Sequence, residues 1–499
     1  MRVPGSGERR GEKMTKKTDR PIRGRKPLRP PTPIAVVGII FTVLFTAMSI
    51  YLCRYAYVNR QTMMSNSYNN RQRILLEQNE RGTIYSRDGD ALAVSEVSEG
   101  GDEERYYPYG ELFAHAVGYA TKGKSGIEAM ENYYLIRSDI SLSEKARYAD
   151  EGRKKNPGNS VTTTLSVPLQ EVASKALAAY RGAIIVTDVR TGEILAMVSK
   201  PGFDPNHVDA EWNSLIADDE DAELLNRASQ GLYPPGSTFK LVTALEYIRE
   251  YPEDYGAYHY QCNGMFKAGE ETIHCFHGES HGSLDFYGSF QKSCNSSFAN
   301  IGMQMDRGDF GRTLTQLLFG SKLPVDFPAS VSNAVMGPDA ADGDVIQLSI
   351  GQGATAMSPL HLNMITQAIA NDGVMVRPYL VKSVDSADGK TLVKEHAGEE
   401  IDRVMSEEEA AILQEMMVLV VNGGTGRRLS GLSYQAAGKT GSAEFDSGQK
   451  EESHAWFTGF APAEDPAIAV TVIVERAGGG GEYAVPMAKR VFDCYFGVE

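Results

Sequence analysis

Ser237 and Lys240 lie three residues apart in Tyr233-Pro-Pro-Gly-Ser-Thr-Phe-Lys240, where a Pro/Gly turn gives way to an amphipathic run. Pro234, Pro235 and Gly236 cannot extend a helix backwards, whereas Leu241, Val242, Ala244, Leu245 and Ile248 recur at helical spacing. The pattern therefore predicts Ser237 on the first turn of a helix, with Lys240 on the same face. An amine held beside a hydroxyl in a partly desolvated cleft can be neutral near pH 7 and take the hydroxyl's proton, and unpaired N–H groups at a helix start can polarise a bound carbonyl. Such a pair turns up by chance roughly once or twice in a chain of this length, and alone it reads as a helix cap followed by a solvated lysine. Two further motifs follow in order: Ser293-Cys294-Asn295, and Lys439-Thr440-Gly441 within Ala436-Ala-Gly-Lys-Thr-Gly-Ser-Ala-Glu444. A Lys-Thr-Gly triplet is expected by chance only about 0.1 times, so the three together exceed coincidence.

The elements that must position these motifs follow from hydrophobic pattern. Ser160–Ser166 is β-rich, and Pro168–Tyr180 reads as a helix with Val172, Ala173, Ala176 and Leu177 on one side. Gly182–Asp188 and Glu193–Ser199 are apolar strands of a hairpin. After the Ser237 helix the chain reads as mainly helical as far as about Ser433. Strands then return over Tyr434–Ala443, His454–Gly459 and Ala467–Glu475, before a closing helix over Pro486–Phe496. Two strands early and three late predict an α/β fold in which one five-stranded antiparallel sheet is covered by helices, with a mainly helical subdomain inserted. Ahead of it, Arg81–Ala93 looks like two short strands about the Asp88-Gly89 turn, and Asn156-Pro-Gly-Asn159 breaks a charged helical stretch.

Charge is sharply segregated. The chain has 65 acidic and 50 basic residues, yet its first 30 residues hold 11 Lys/Arg against 3 Asp/Glu. The acidic remainder argues against nucleic-acid binding. Ile34 to Cys53 is uncharged and long enough to cross a bilayer as a helix, and the basic flank places the N-terminus in the cytoplasm and the rest outside. No small-x-small cleavage site follows Leu52 before Arg54, which favours an uncleaved anchor over a signal peptide. The expected organisation is a basic, Pro-rich, disordered cytoplasmic tail (1–33), a transmembrane anchor (34–53), a stalk and small mixed pedestal (54–158) and a catalytic domain (159–499).

Of five cysteines, Cys53 falls in the span, Cys294 inside the second motif and Cys494 on the last helix. Cys262 and Cys275 bracket a short loop, a spacing that allows a disulfide outside the cell. His274, His277 and His281 lie nearby, but no pair of tight ligand spacings supports zinc. No metal and no cofactor is therefore expected.

From Arg81 to the C-terminus the chain resembles the class B penicillin-binding proteins, the transpeptidases that cross-link peptidoglycan. Besides the three motifs, which occur in the order known for penicillin-binding proteins, the resemblance rests on several other segments. These are Arg81-Gly-Thr-Ile with Arg87-Asp-Gly-Asp-Ala-Leu-Ala93, Arg105-Tyr-Tyr-Pro-Tyr-Gly110, His115-Ala-Val-Gly-Tyr119, Gly123-Lys-Ser-Gly-Ile-Glu128, Thr191-Gly-Glu-Ile-Leu-Ala-Met197, Ile350-Gly-Gln-Gly353 and His454-Ala-Trp-Phe-Thr-Gly459. It implies that Ser237 attacks the carbonyl between the two D-alanines of a stem peptide, with Lys240 as general base. Ser293 would relay a proton to the departing amine, Asn295 would hold the donor amide and Lys439 would place positive charge beside Ser293. Thr440, Gly441 and Ser442 would bind the terminal carboxylate, and the N–H groups of Ser237 and Ser442 would form the oxyanion hole. Ser442 stands where threonine is more usual, which keeps a hydroxyl. The implied partners are peptidoglycan stem peptides on a lipid-linked polymer, β-lactams that imitate the D-Ala-D-Ala end, and a polytopic membrane glycosyltransferase contacted through anchor and pedestal.

Other readings fit the same chemistry less well. A class A β-lactamase needs a deacylating glutamate between the second and third motifs, and none lies between Asn295 and Glu395. A non-enzymatic β-lactam receptor would need a cytoplasmic output module, for which the short basic N-terminal tail offers no sequence. A D,D-carboxypeptidase differs only in using water as acceptor. Trp456 and Phe457, on a predicted strand, read as core, and Gly351, Gln352 and Gly353 read as a turn without assigned chemistry.

Overall fold

The computed structural model describes residues 32–59, 70–97, 103–218, 220–269, 271–446 and 451–498. The chain divides into two compact units, residues 1–63 and 64–499. In the first, helix Pro33–Val58 is capped by the Thr32 side chain and has a mean hydropathy of 2.3 over its most apolar stretch, long and apolar enough to cross a membrane. It runs past Cys53 because Arg54-Tyr-Ala-Tyr-Val58 contains no helix breaker.

In the second unit the strands, in chain order, are β1 (Ile84–Tyr85), β2 (Ala91–Val97), β3 (Glu103–Tyr106), β4 (Ser160–Thr163), β5 (Gly182–Asp188), β6 (Ile194–Lys200), β7 (His259–Cys262), β8 (Met265–Ala268), β9 (Glu271–His274), β10 (Gly282–Asp285), β11 (Val374–Val376), β12 (Val381–Asp385), β13 (Leu392–Glu395), β14 (Glu400–Arg403), β15 (Ala437–Asp446), β16 (Glu451–Ala461) and β17 (Ile468–Val474). The central sheet is five-stranded and antiparallel throughout, in the order β15-β16-β17-β5-β6, as the apolar runs predict. Every residue of β17 is buried, because helices cover both faces. Helices Val167–Leu177 and Ala484–Phe496 pack on one side, and helix Pro359–Ala370 on the other. At about 1.5–3 kcal/mol for each fully buried valine or isoleucine, this apolar layer dominates the stability of the domain. It leaves β15 as an edge strand facing the middle of the chain.

That middle stretch is built on helices, among them Lys240–Glu250, Asn295–Gln304, Pro359–Ala370 and Glu407–Gly423, but it carries short strands that helical periodicity does not show. β7 pairs with β10, and β8 with β9. β12 and β13 leave it altogether and complete a six-stranded sheet of order β13-β12-β4-β1-β2-β3. Val381-Lys-Ser-Val-Asp385 buries Val381 and Val384, three residues apart because its pairing with β4 shifts register between Val381 and Ser383, and Ser386-Ala-Asp-Gly389 is its turn. β4 pairs in parallel with β1 and antiparallel with β12, so residues far apart in sequence share the pedestal's sheet.

Below that sheet Glu128, fully buried, is held by two arginines. Arg81 Nε lies 2.6 Å and Arg105 Nε 2.7 Å from its carboxylate, and Arg81 Nη1 donates to Asn132 Oδ1 at 2.6 Å. The segments Arg81-Gly-Thr-Ile, Arg105-Tyr-Tyr and Gly123-Lys-Ser-Gly-Ile-Glu128 thus meet at one charge cluster.

Candidate active site

Ser237 sits on a 3-10 turn, Gly236–Phe239, that leads into helix Lys240–Glu250, so the serine precedes the α-helix and Lys240 opens it. Helix Phe286–Gln291 ends nearby with Ser293 in the left-handed region at φ 55°. Its N–H donates to Phe290 O (3.0 Å) and that of Cys294 to Ser289 O (2.9 Å), which fixes the tight turn before helix Asn295–Gln304. The third motif lies on β15, with Lys439 and Thr440 buried and Ser442 half-buried.

The three motifs converge through two lysines. Lys240 Nζ donates to Ser293 O (2.7 Å), Asn295 Oδ1 (2.7 Å) and, at 3.4 Å, Ser293 Oγ. Lys439 Nζ donates to the same Ser293 Oγ at 2.8 Å and to Thr440 O at 3.0 Å. One serine hydroxyl therefore links both amines. Each ammonium also lies over an aromatic ring, Lys240 5.4 Å from Phe298 and Lys439 5.5 Å from Phe290. Burial pushes the Lys240 amine down to about 7, against opposing pulls from Cys294 and Cys275. Burial, reinforced by the charge of Lys240, also lowers Lys439 well below the usual lysine range.

Two glycines set how closely these pieces approach. A Cβ on Gly441 would stand 2.9 Å from Pro235 O and 3.0 Å from Thr238 Cγ2, so only glycine lets β15 lie against the nucleophile turn. Gly351, at φ 73°, accepts the Gly236 N–H on its carbonyl at 2.9 Å, and a Cβ there would meet Gly236 O at 2.2 Å. The turn read from sequence as without chemistry thus packs against the 3-10 turn that carries Ser237, at Gly236 and Phe239. Its neighbour Gln352 lies with its side-chain amide 3.2 Å from both Glu444 N and Glu444 O, and with the amide nitrogen turned to Glu444 O it pairs with the edge of β15 just past the motif. Only the two flanking glycines signalled it.

Trp456 is fully buried, as a central-strand aromatic should be, and its indole N–H donates to Pro234 O at 3.0 Å, bracing the same turn. Behind it Glu475 Oε1 accepts from Tyr233 OH and Arg227 Nε, both at 2.8 Å. Ser442 Oγ accepts from Gly480 N–H at 3.3 Å, and the Thr425 and Thr440 hydroxyls meet at 2.5 Å. Ser237 itself is half-buried at the mouth of this arrangement. Cys262 and Cys275 are not bridged: both are free thiols with Sγ atoms 3.7 Å apart, beyond the roughly 2.05 Å of an S–S bond.

Comparison with known proteins agrees with this geometry. Residues 182–493 match the penicillin binding protein transpeptidase domain, and residues 81–161 the penicillin binding protein A dimerisation domain. The chain is 32% identical over 447 residues to the peptidoglycan D,D-transpeptidase PbpA of Mycolicibacterium smegmatis, covering 84% of this chain and 90% of that one. It is 33% identical over 457 residues to the peptidoglycan D,D-transpeptidase MrdA of Acinetobacter baumannii, covering 78% and 66%. Among solved structures, the ceftriaxone acyl-enzyme of penicillin-binding protein A from M. tuberculosis superposes with a TM-score of 0.76 at 28% identity, covering 84% of this chain and 99% of that one. The chain belongs to the class B penicillin-binding proteins.

Proposed function

We infer that the chain is a serine-type peptidoglycan D,D-transpeptidase that is also acylated by β-lactams. The observation that carries this reading is the meeting of two buried lysines on the Ser293 hydroxyl, beside the Ser237 turn and along the open edge of β15. Ser237 Oγ attacks the carbonyl between the two D-alanines while neutral Lys240 takes its proton. The C–N bond then breaks, and the departing D-alanine amine receives a proton by way of Ser293. An amine from a second stem peptide attacks the Ser237 ester, forms the cross-link and returns the serine hydroxyl.

Asn295 holds the donor amide. Lys439, with Thr440, Gly441 and Ser442, receives the terminal carboxylate, whose charge offsets the buried ammonium. The N–H groups of Ser237 and Ser442 stabilise the oxyanion. A β-lactam enters as a mimic of the D-Ala-D-Ala end and leaves slowly. Helix Pro33–Val58 anchors the chain with its basic end in the cytoplasm, and a polytopic membrane glycosyltransferase supplies the glycan that is cross-linked.

The decisive test is the intact mass of the detergent-solubilised chain after incubation with penicillin, beside Ser237→Ala. A persistent single adduct, absent from the variant, is expected, with dimeric product formed from lipid-linked polymer. Acylation that survives in Ser237→Ala would sink the assignment. Release of D-alanine without dimer would turn it into a carboxypeptidase.

A further inference from the structure

The short strands inserted between the first two motifs bury little apolar surface of their own. β7 to β10 form two separate two-stranded ladders, each mostly exposed, and they rest on the core through Ile273 and the partly buried Tyr260 and Phe266. Two-stranded ladders are marginal in water, and anchors this few leave room for a further tie.

What they do share is a knot of sulfur and nitrogen. Cys262 ends β7, Cys275 follows β9, His281 precedes β10, and Cys294 is the middle residue of the second motif. Their ligand atoms all lie within 4.8 Å of one another. The Sγ atoms of Cys262 and Cys275, and those of Cys275 and Cys294, are 3.7 Å apart, and His281 Nδ1 is 3.5 Å from Cys262 Sγ. A tetrahedral zinc ion with Zn–S bonds of about 2.3 Å and a Zn–N bond of about 2.0–2.1 Å has edges of roughly 3.8 Å (S–S) and 3.6 Å (S–N). These three edges match that polyhedron, the remaining ones stay within 4.8 Å, and the S–S separations are too long for a disulfide.

The surroundings suit thiolates. The N–H groups of Gly264 and Ser297 donate to the sulfurs of Cys262 and Cys294, each at 3.4 Å, and Ser296 Oγ lies 2.9 Å from Cys275 Sγ. Glu279 Oε2 stands 4.0 Å from His281 Nε2, the ring nitrogen turned away from the sulfurs. Such outer partners orient metal ligands and fix the imidazole tautomer. The three cysteines are buried, so a bound ion would be enclosed by protein.

We propose that Cys262, Cys275, His281 and Cys294 form a closed four-ligand zinc site that clamps the Ser293-Cys294-Asn295 turn. Three soft thiolates and one imidazole in tetrahedral array select zinc over harder divalent ions. On binding, each thiol S–H releases its proton to solvent as a Zn–S bond forms, and the neutral imidazole donates through Nδ1. All four positions are taken by protein, so the ion orders the chain and takes no part in acyl transfer. Because Cys294 lies between Ser293 and Asn295, both of which touch Lys240, the ion would position the second motif. Asn295 Nδ2 already donates to His274 O at 3.0 Å, joining the same insert to the site.

The test uses the full chain in detergent, purified without added metal or chelator. Elemental analysis should give about one zinc per chain, reduced at least tenfold in Cys275→Ser and retained in Cys494→Ser. Penicillin acylation should slow about tenfold or more in Cys275→Ser. Protein produced in cobalt-supplemented medium should show thiolate-to-cobalt charge-transfer bands and the visible bands of a tetrahedral ion, a readout on the unmutated chain that stands even if the variant misfolds. Metal-free protein, a disulfide among these cysteines on peptide mapping, or zinc that persists in Cys275→Ser would each overturn the site. Loss of zinc with unchanged acylation would overturn its positioning role.

Discussion

Two regions of this molecule bury charge, and they do so in opposite ways. In the pedestal, Glu128 is enclosed with Arg81 and Arg105, so each charge meets its opposite. In the cleft, Lys240 and Lys439 are equally enclosed, yet among the described residues neither meets a carboxylate, and both turn to the hydroxyl of Ser293. The protonation follows. Burial alone would raise the Glu128 carboxyl, but the charges and hydrogen bonds of Arg105 and Arg81 outweigh it and hold it below the usual range. For the lysines nothing outweighs burial, and both amines fall. The pedestal thus has its compensation built in, whereas the cleft leaves a deficit that an incoming carboxylate can fill. Removing a charge should therefore have opposite signs in the two places.

The largest effect is expected in the pedestal. Glu128→Gln leaves two arginines buried without a counter-charge, and breaking such a cluster costs about 3–5 kcal/mol, read as a lowered denaturation midpoint. Penicillin acylation per folded molecule should not change. The pH dependence gives a second check. Because the folded carboxyl is held below its ordinary value of 4.5, it stabilises the fold fully above that value and loses the contribution as pH falls through the folded pKa. The deficit of Glu128→Gln should accordingly shrink in acid. A variant as stable as the parent at pH 7 would mean that the cluster is not the pedestal's keystone.

The site offers the contrasting case. Lys439→Met replaces a buried amine that meets no carboxylate by an apolar chain of similar length, and relief of that desolvation is expected to stabilise by about 1–2 kcal/mol. Acylation should fall by about 10²-fold or more. Equal or reduced stability would show that Lys439 is already neutralised in the resting protein, and the contrast between the regions would lose its basis.

Much of this was legible in the sequence wherever the signal is local. The runs Gly182–Asp188 and Ala467–Glu475 are apolar because both faces of the sheet are covered, and the motifs announce themselves by residue type and spacing. What stayed hidden depends on pieces that only the fold joins. Val381–Asp385 pairs with Ser160–Thr163 across more than two hundred residues, and its two valines stand three apart, a spacing that reads as helix rather than strand. Gln352 matters because Gly351 packs against Gly236 of the nucleophile turn, a proximity no window of sequence contains. Cys262, Cys275, His281 and Cys294 are separated by 13, 6 and 13 residues, so a search for tight ligand pairs passes over them, although their side chains share one small volume.

The smallest effect is also the most discriminating. If neutral Lys240 is the base, acylation should rise with pH through a midpoint near the value of about 7 set by its burial, and lose about tenfold per unit below it. Lowering the pH protonates the amine, so the acid limb is the inactive one. The charge of Lys240 lowers the Lys439 amine, and interacting groups titrate as a pair. Deleting the charge of Lys439 should therefore make Lys240 easier to protonate and move the residual activity's midpoint to higher pH. In Glu128→Gln, where the altered charge lies in the other region, the midpoint should stay where it is. A profile flat from about pH 5 to 9 would exclude Lys240 as the titrating base. A midpoint that shifts equally in both variants would show that the charge clusters communicate, and that the cleft's deficit is balanced at a distance.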